Sequence, residues 1–109
     1  MKIYDYTTAG GKNLILAYIH ELTEDLRAIV YQIREDISKY GIDAFVSLQT
    51  RQLIGKLWEI KFKNQRIMYV IIDRDAVYFL HICRKQKNKA ERKDIETAVK
   101  RAGEYGIRL

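Results

Sequence analysis

The spacing of apolar positions changes twice along the chain, and each change marks a new kind of element. From Lys12 to Leu22 the residues Leu14, Ile15, Tyr18, Ile19 and Leu22 recur at intervals of three and four, which predicts a helix with one apolar face. Thr23 then reads as an N-cap, followed by Glu24 and Asp25 where acids favour the positive end of a helix dipole. Leu26, Ile29, Val30, Ile33 and Ile37 continue the helical spacing until Gly41 supplies a stop. Together these segments predict a helical hairpin with one buried stripe. Ahead of it, "KIYDY" reads as a short first strand and "TTAGGKN" as a loop, while residues 43–55 read as a connector with scattered apolar residues.

After Gly55 the period falls to two. "LWEIKFK", "RIMYVIID" and "AVYFLHICRK" are rich in β-branched and aromatic residues and are separated only by "NQ" and "RD". Spacers that short predict hairpins, hence a three-stranded antiparallel meander. From about Lys89 to Tyr105 helical spacing returns through Ile95, Ala98, Val99 and Ala102, ending near Gly106. The order β-α-α-β-β-β-α predicts an α+β fold with the helices on one face of a mostly antiparallel sheet.

Alternation also sorts the strand residues into faces. With Asn64 and Gln65 as a two-residue turn, Lys63 stands opposite Arg66, Lys61 opposite Met68 and Glu59 opposite Val70, and directly opposed residues share a face. Trp58, Ile60, Phe62, Ile67, Tyr69 and Ile71 then form the core face. A two-residue turn at Arg74 and Asp75 adds Phe79, His81, Cys83 and Lys85 to the charged face, and Tyr78, Leu80 and Ile82 to the core; a one-residue change would reverse this last assignment. The open face expected is therefore Glu59, Lys61, Lys63, Arg66, His81 and Lys85 around Met68, Val70 and Phe79. A solvated sheet face would account for such charges, and so would a site that binds a phosphodiester and moves protons at it.

Length and composition narrow the choices. With 109 residues, 48% of them hydrophobic, the chain fits a single domain spanning 1–109 with one core. The lone cysteine, Cys83, rules out an intramolecular disulfide and a Cys-rich metal site, and without a His/Asp arrangement around it reads as a small hydrophobe. The two histidines, His20 and His81, are far apart in sequence, so no metal is expected. No apolar leader or membrane-length run is visible, and a soluble, cytoplasmic protein is the expectation.

The net charge of +6 is unevenly spread. Residues 1–50 hold 5 Lys and Arg against 7 Asp and Glu, whereas residues 51–109 hold 15 against 7, which makes the second half the candidate surface for a polyanion. Its densest part is "RKQKNKAERK", Arg84 to Lys93, with six basic residues and one acidic. A run of this kind at a strand-to-helix junction suits the phosphate backbone, and because no aromatic residues are interleaved, base readout is not expected from it.

"LWEIKFKNQRIMYVI" followed by "LHICRKQKNKAERKDIETAVKR" resembles the RelE/ParE superfamily of bacterial toxins, and within it the HigB-like, phage-derived branch. The likeness rests on an ordered set: the Trp-Glu-hydrophobic-basic strand at Leu57–Lys61, the Arg-hydrophobic-hydrophobic-Tyr strand at Arg66–Tyr69, the Leu-His strand end at Leu80–His81, the lysine-rich loop from Arg84 to Lys89, and the helix motif from Ile95 to Arg101. It covers roughly residues 50–105. The resemblance implies a RelE-like fold and the toxin of a type II toxin–antitoxin pair, a metal- and cofactor-independent, ribosome-dependent mRNA endonuclease. It further implies no membrane, and a hetero-oligomer with a helix-turn-helix antitoxin. In such enzymes the ribose 2′-hydroxyl attacks the adjacent phosphate. By position, Lys61 and Arg66 match the strand residues that hold and stabilise that phosphate, and Lys85, Arg84 and Lys87 match the basic end of the following strand, with Lys89 and Lys63 as further RNA contacts. Glu59 stands where RelE-type enzymes have a second lysine, so base chemistry falls to Glu59 or His81, or Glu59 is a structural partner of Arg66. The Thr-Pro pair that often opens the family's last helix is Ala90-Glu91 here, and no tyrosine follows the basic loop before Tyr105, which would reach the open face only if the last helix folded back. The same fold also serves gyrase inhibition of the ParE type and non-catalytic RNA- or protein-binding modules.

Overall fold

The computed structural model describes residues 1–85 and 89–109. The chain runs through β1 (Lys2–Asp5), α1 (Leu14–His20), α2 (Glu24–Tyr40), a 3-10 segment (Gly41–Ser47), β2 (Gln49–Ile54), β3 (Leu57–Phe62), β4 (Gln65–Asp73), β5 (Ala76–Arg84) and α3 (Lys89–Glu104). The five strands form one sheet in the order β1-β5-β4-β3-β2, with β1 parallel to β5 and every other pair antiparallel. This is the expected α+β architecture with one strand more than the sequence predicts. The connector contains β2, a sheet-edge strand with few apolar residues, whose pairing with β3 rather than its own period makes it a strand.

Helix boundaries follow local chemistry. Asn13 caps α1 by accepting from the Leu16 N–H at 2.9 Å, and the Thr23 hydroxyl accepts from the Leu26 N–H, as the sequence suggests. Gly41 ends α2 with φ +63°, a left-handed conformation that glycine adopts without a side-chain penalty.

The helices do not share a face. The pair α1 and α2 buries Ile15, Ile19, Val30, Ile33 and Ile37 against Ile60, Phe62, Ile67, Tyr69, Phe79 and Ile82. On the opposite face, Ala98 and Ala102 of α3, both fully buried, let that helix approach Leu57, Met68, Val70, Leu80 and Cys83. The face expected to be open is thus half covered by α3, which leaves the end nearest the β3–β4 turn accessible. Trp58 lies on the predicted core face but is 37% exposed.

Two register details decide what lies on each face. The β3–β4 turn is Lys63-Asn64, one position earlier than expected, so Lys61 pairs with Arg66 and Glu59 with Met68. Moving a two-residue turn by one position shifts register by two, and with a side-chain period of two the faces are unchanged. Between Met68 and Tyr69, however, β5 carries one extra residue, Leu80, a bulge that a second irregularity at Ile72 of β4 offsets next to the β4–β5 turn. Beyond it Phe79 joins the α1/α2 core, while Tyr78 and Leu80 turn to the α3 side, the reverse of expectation for all three. His81 and Cys83, on the near side of the bulge, keep the predicted pairings with Met68 and Arg66.

Candidate active site

A pocket of about 340 Å³ opens beside the β3–β4 turn, lined by Arg51 of β2, Glu59 and Lys61 of β3, Arg66 and Met68 of β4, Cys83 and Arg84 of β5, Lys85 just beyond it, and Glu91 and Asp94 of α3. Four neighbouring strands each contribute a charged residue because their pairing aligns residues far apart in sequence: Arg51 opposite Glu59, Lys61 opposite Arg66, Arg66 opposite Cys83. Gln65 anchors the turn end. It is buried, and its amide oxygen accepts from the Tyr18 hydroxyl of α1 while its Nε2 donates to Asn64 Oδ1 at 3.1 Å.

At the pocket's base Glu59 is only 1% exposed. Its Oε2 accepts from Arg51 Nε at 3.1 Å and lies 3.9 Å from Arg66 Nε, so one buried carboxylate orients two guanidinium groups. Arg66 is further fixed by donation from its Nη1 to the carbonyls of Gln65 at 2.7 Å and Lys63 at 3.2 Å. The other end of the Arg51 guanidinium pairs with Glu91. Lys61, Arg84 and Lys85 line the same pocket, and none has an acidic partner within ion-pair distance among the described residues.

His81 lies behind this wall rather than in it. Arg101 Nη1 donates to the Leu80 carbonyl at 2.9 Å and approaches His81 Nδ1 at 3.2 Å, while His81 Nε2 lies 2.8 Å from Asp94 Oδ1. Since the guanidinium can only donate, Nδ1 is the acceptor and the ring proton sits on Nε2, directed at Asp94. Burial holds the His81 pKa below its ordinary value against the opposing effect of the hydrogen bond it donates to Asp94. Burial, reinforced by Asp94, also pushes the Cys83 thiol up to about 12, which keeps it a protonated hydrophobe as the sequence suggests.

The ligand atoms of His81, Cys83 and Asp94 converge within 4.8 Å, a grouping that sequence separation conceals. Loading a metal there would require moving the ring proton from Nε2 to Nδ1, directly against the Arg101 donor, so the surroundings of His81 fit a hydrogen-bonded neutral ring better than a metal ligand.

Of the residues expected from sequence, Glu59, Lys61, Arg66, Arg84 and Lys85 come together in the pocket. His81 is displaced into the second layer. Lys63 occupies the turn with φ +51° instead of standing opposite Arg66, and it does not line the pocket. Lys87 lies outside the described residues, and Lys89 opens α3. Tyr105 is far from the pocket: its hydroxyl accepts from the Thr7 N–H at 2.8 Å and its ring packs on Tyr6 and Tyr78. Sequence reasoning missed Arg51, Glu91 and Asp94. Arg51 sat in the supposed connector; Glu91 and Asp94 precede Ala98 and Ala102 at helical spacing, the one signal that could have placed them on the sheet-facing side of α3.

Residues 17–103 match the family described as phage-derived protein Gp49-like, and no curated protein matches the chain. With that match covering most of its length, the chain belongs to the Gp49-like family of phage-derived proteins, within the RelE/HigB-like toxin superfamily.

Proposed function

We propose that this protein is the toxin of a toxin–antitoxin pair and acts as a metal-independent endoribonuclease on translated mRNA. The observation that carries this reading is one pocket into which four adjacent strands and the residue after β5 deliver Arg51, Lys61, Arg66, Arg84 and Lys85 around a single buried carboxylate. In the reaction the 2′-hydroxyl loses its proton and bonds to phosphorus, and the P–O5′ bond breaks as the leaving oxygen gains a proton, giving a cyclic phosphate and a free 5′-hydroxyl. Arg66 and Lys61, on paired positions of β3 and β4, stabilise the charge that builds on the phosphorane oxygens. Lys61 and Lys85 bring ammonium protons into the pocket for the leaving oxygen, whereas Glu59 serves as the anchor of Arg51 and Arg66. His81, engaged through both nitrogens, acts by holding Asp94 and the first turns of α3 in place.

An antitoxin that covers this basic pocket would neutralise the toxin, and its recognising segment is expected to be acidic and to belong to a helix-turn-helix protein. The test is induction in a bacterial host with mapping of 5′ ends in translated messages. Replacing Lys61 or Arg66 by Ala should lower cleavage by about 100-fold or more, the usual effect of removing a donor to developing negative charge. Undiminished cleavage in both variants would overturn the assignment. Intact messages accompanied by a DNA-damage response would point instead to gyrase inhibition.

A further inference from the structure

Arg51 spans two carboxylates of opposite exposure. Its Nε is fixed on Glu59, whose side chain is 2% exposed, whereas its terminal nitrogen pairs with Glu91, which is 41% exposed. A hydrogen bond to a carboxylate that is itself buried is costly to break, because the carboxylate would be left unpaired, but an ion pair between half-exposed side chains contributes little and exchanges with other anions. The guanidinium therefore has a fixed end and an exchangeable end, and the pocket it borders also holds Lys61, Arg66 and Lys85. Toward a guanidinium, a phosphate offers the same charge and paired oxygens as a carboxylate.

We propose that Arg51 is a further phosphate-binding residue, and that Glu91 occupies its terminal nitrogen only until a phosphate group of single-stranded RNA replaces the carboxylate. Glu59 keeps the guanidinium aimed in both states, and Glu91 acts as a built-in competitor delivered by the first turn of α3. The proposal rests on reading the pocket as a phosphate site.

The test is binding of the full chain to a short fluorescein-labelled, 2′-O-methylated single-stranded RNA, which cannot be cleaved, followed by anisotropy at constant salt. Glu91→Gln should tighten binding roughly two- to fivefold, the range set by a half-exposed ion pair. Glu96→Gln, an exposed change of the same charge on the same helix, should move it less. Arg51→Gln should weaken binding and abolish the effect of Glu91→Gln, the coupling a double-mutant cycle isolates. Arg51→Lys, which keeps the charge but lacks the two-ended fork, should also lose that coupling and covers the case in which Arg51→Gln fails to fold. The proposal is overturned if Glu91→Gln binds no tighter than Glu96→Gln, if its gain persists without Arg51, or if the parent chain does not bind the RNA. Lys61→Ala in the same assay separates the two readings. Unchanged binding with intact Arg51–Glu91 coupling removes only Lys61 from the phosphate site, whereas a Lys61 dependence without the coupling removes only Arg51.

Discussion

Glu59 is a carboxylate in the middle of a strand, almost wholly buried, with two guanidiniums within ion-pair distance of one oxygen. Removing it strands Arg51 and the mostly buried Arg66 without their shared anion, so Glu59→Ala should cost about 3 kcal/mol, measured by urea unfolding. Glu59→Gln keeps an oxygen that can accept from Arg51 and should cost less. As an anchor, Glu59→Gln should also reduce RNA cleavage by less than about tenfold, well short of removing a catalytic donor; a loss equal to that of Arg66→Ala would make Glu59 the base. His81 offers a test by pH. Its folded-state pKa lies below its ordinary value of about 6.5, so between the two the unfolded chain binds more protons than the folded one. Its contribution is therefore fully present above about pH 6.5 and is lost as pH falls through the folded value. Unfolding free energy should decline more steeply from pH 7 to 5 in the parent than in His81→Gln, and parallel profiles would contradict this. The residue types of the site were legible in sequence because charges alternate with apolar residues along β3. Their ion-pair partners were not, since Arg51 and Glu91 reach the site from elements whose own patterns say nothing about it.

Among the elements, α3 does most to define the pocket, because it covers the sheet face beyond the pocket and contributes Glu91 and Asp94 to the rim. Its approach depends on two alanines. Ala98→Leu would force a larger side chain between α3 and Leu57, Met68 and Leu80, and should destabilise by about 1–3 kcal/mol in denaturant unfolding. The turn before β3 is equally constrained at Gly55, where φ is +55° and a Cβ would overlap the Leu109 carbonyl. Gly55→Ala should therefore lower the melting temperature, whereas Gly103→Ala, where a Cβ meets nothing within 4 Å, should not. Helix positions were readable because caps and apolar period are local properties. The side of the sheet that α3 takes was not, since its small apolar stripe fits either face.

For the whole molecule, the uneven charge has a structural counterpart: the basic second half supplies every residue lining the pocket, and the acidic first half supplies α1 and α2 on the other face of the sheet. If about four pocket cations contact RNA phosphates, log Kobs should fall with log salt at a slope of about −3, and Lys85→Ala should reduce that slope by about 0.7. A slope near zero would show that charge is not what holds the RNA. Among the described residues no helix is long and apolar enough to cross a membrane. By itself the sequence determined the types of the three helices and of every strand but β2, the faces of β3 and β4, and the shared face of Lys61 and Arg66, because these follow from periods of 3.6 and 2 that any two-residue turn preserves. Only the tertiary structure decided which strand carries the bulge at Leu80, that α3 covers the second face, and that Arg51, Glu59, Arg66 and Glu91 form one chain of charges. Each of these depends on contacts between residues distant in sequence, where a one-residue shift or a choice of face leaves no local trace.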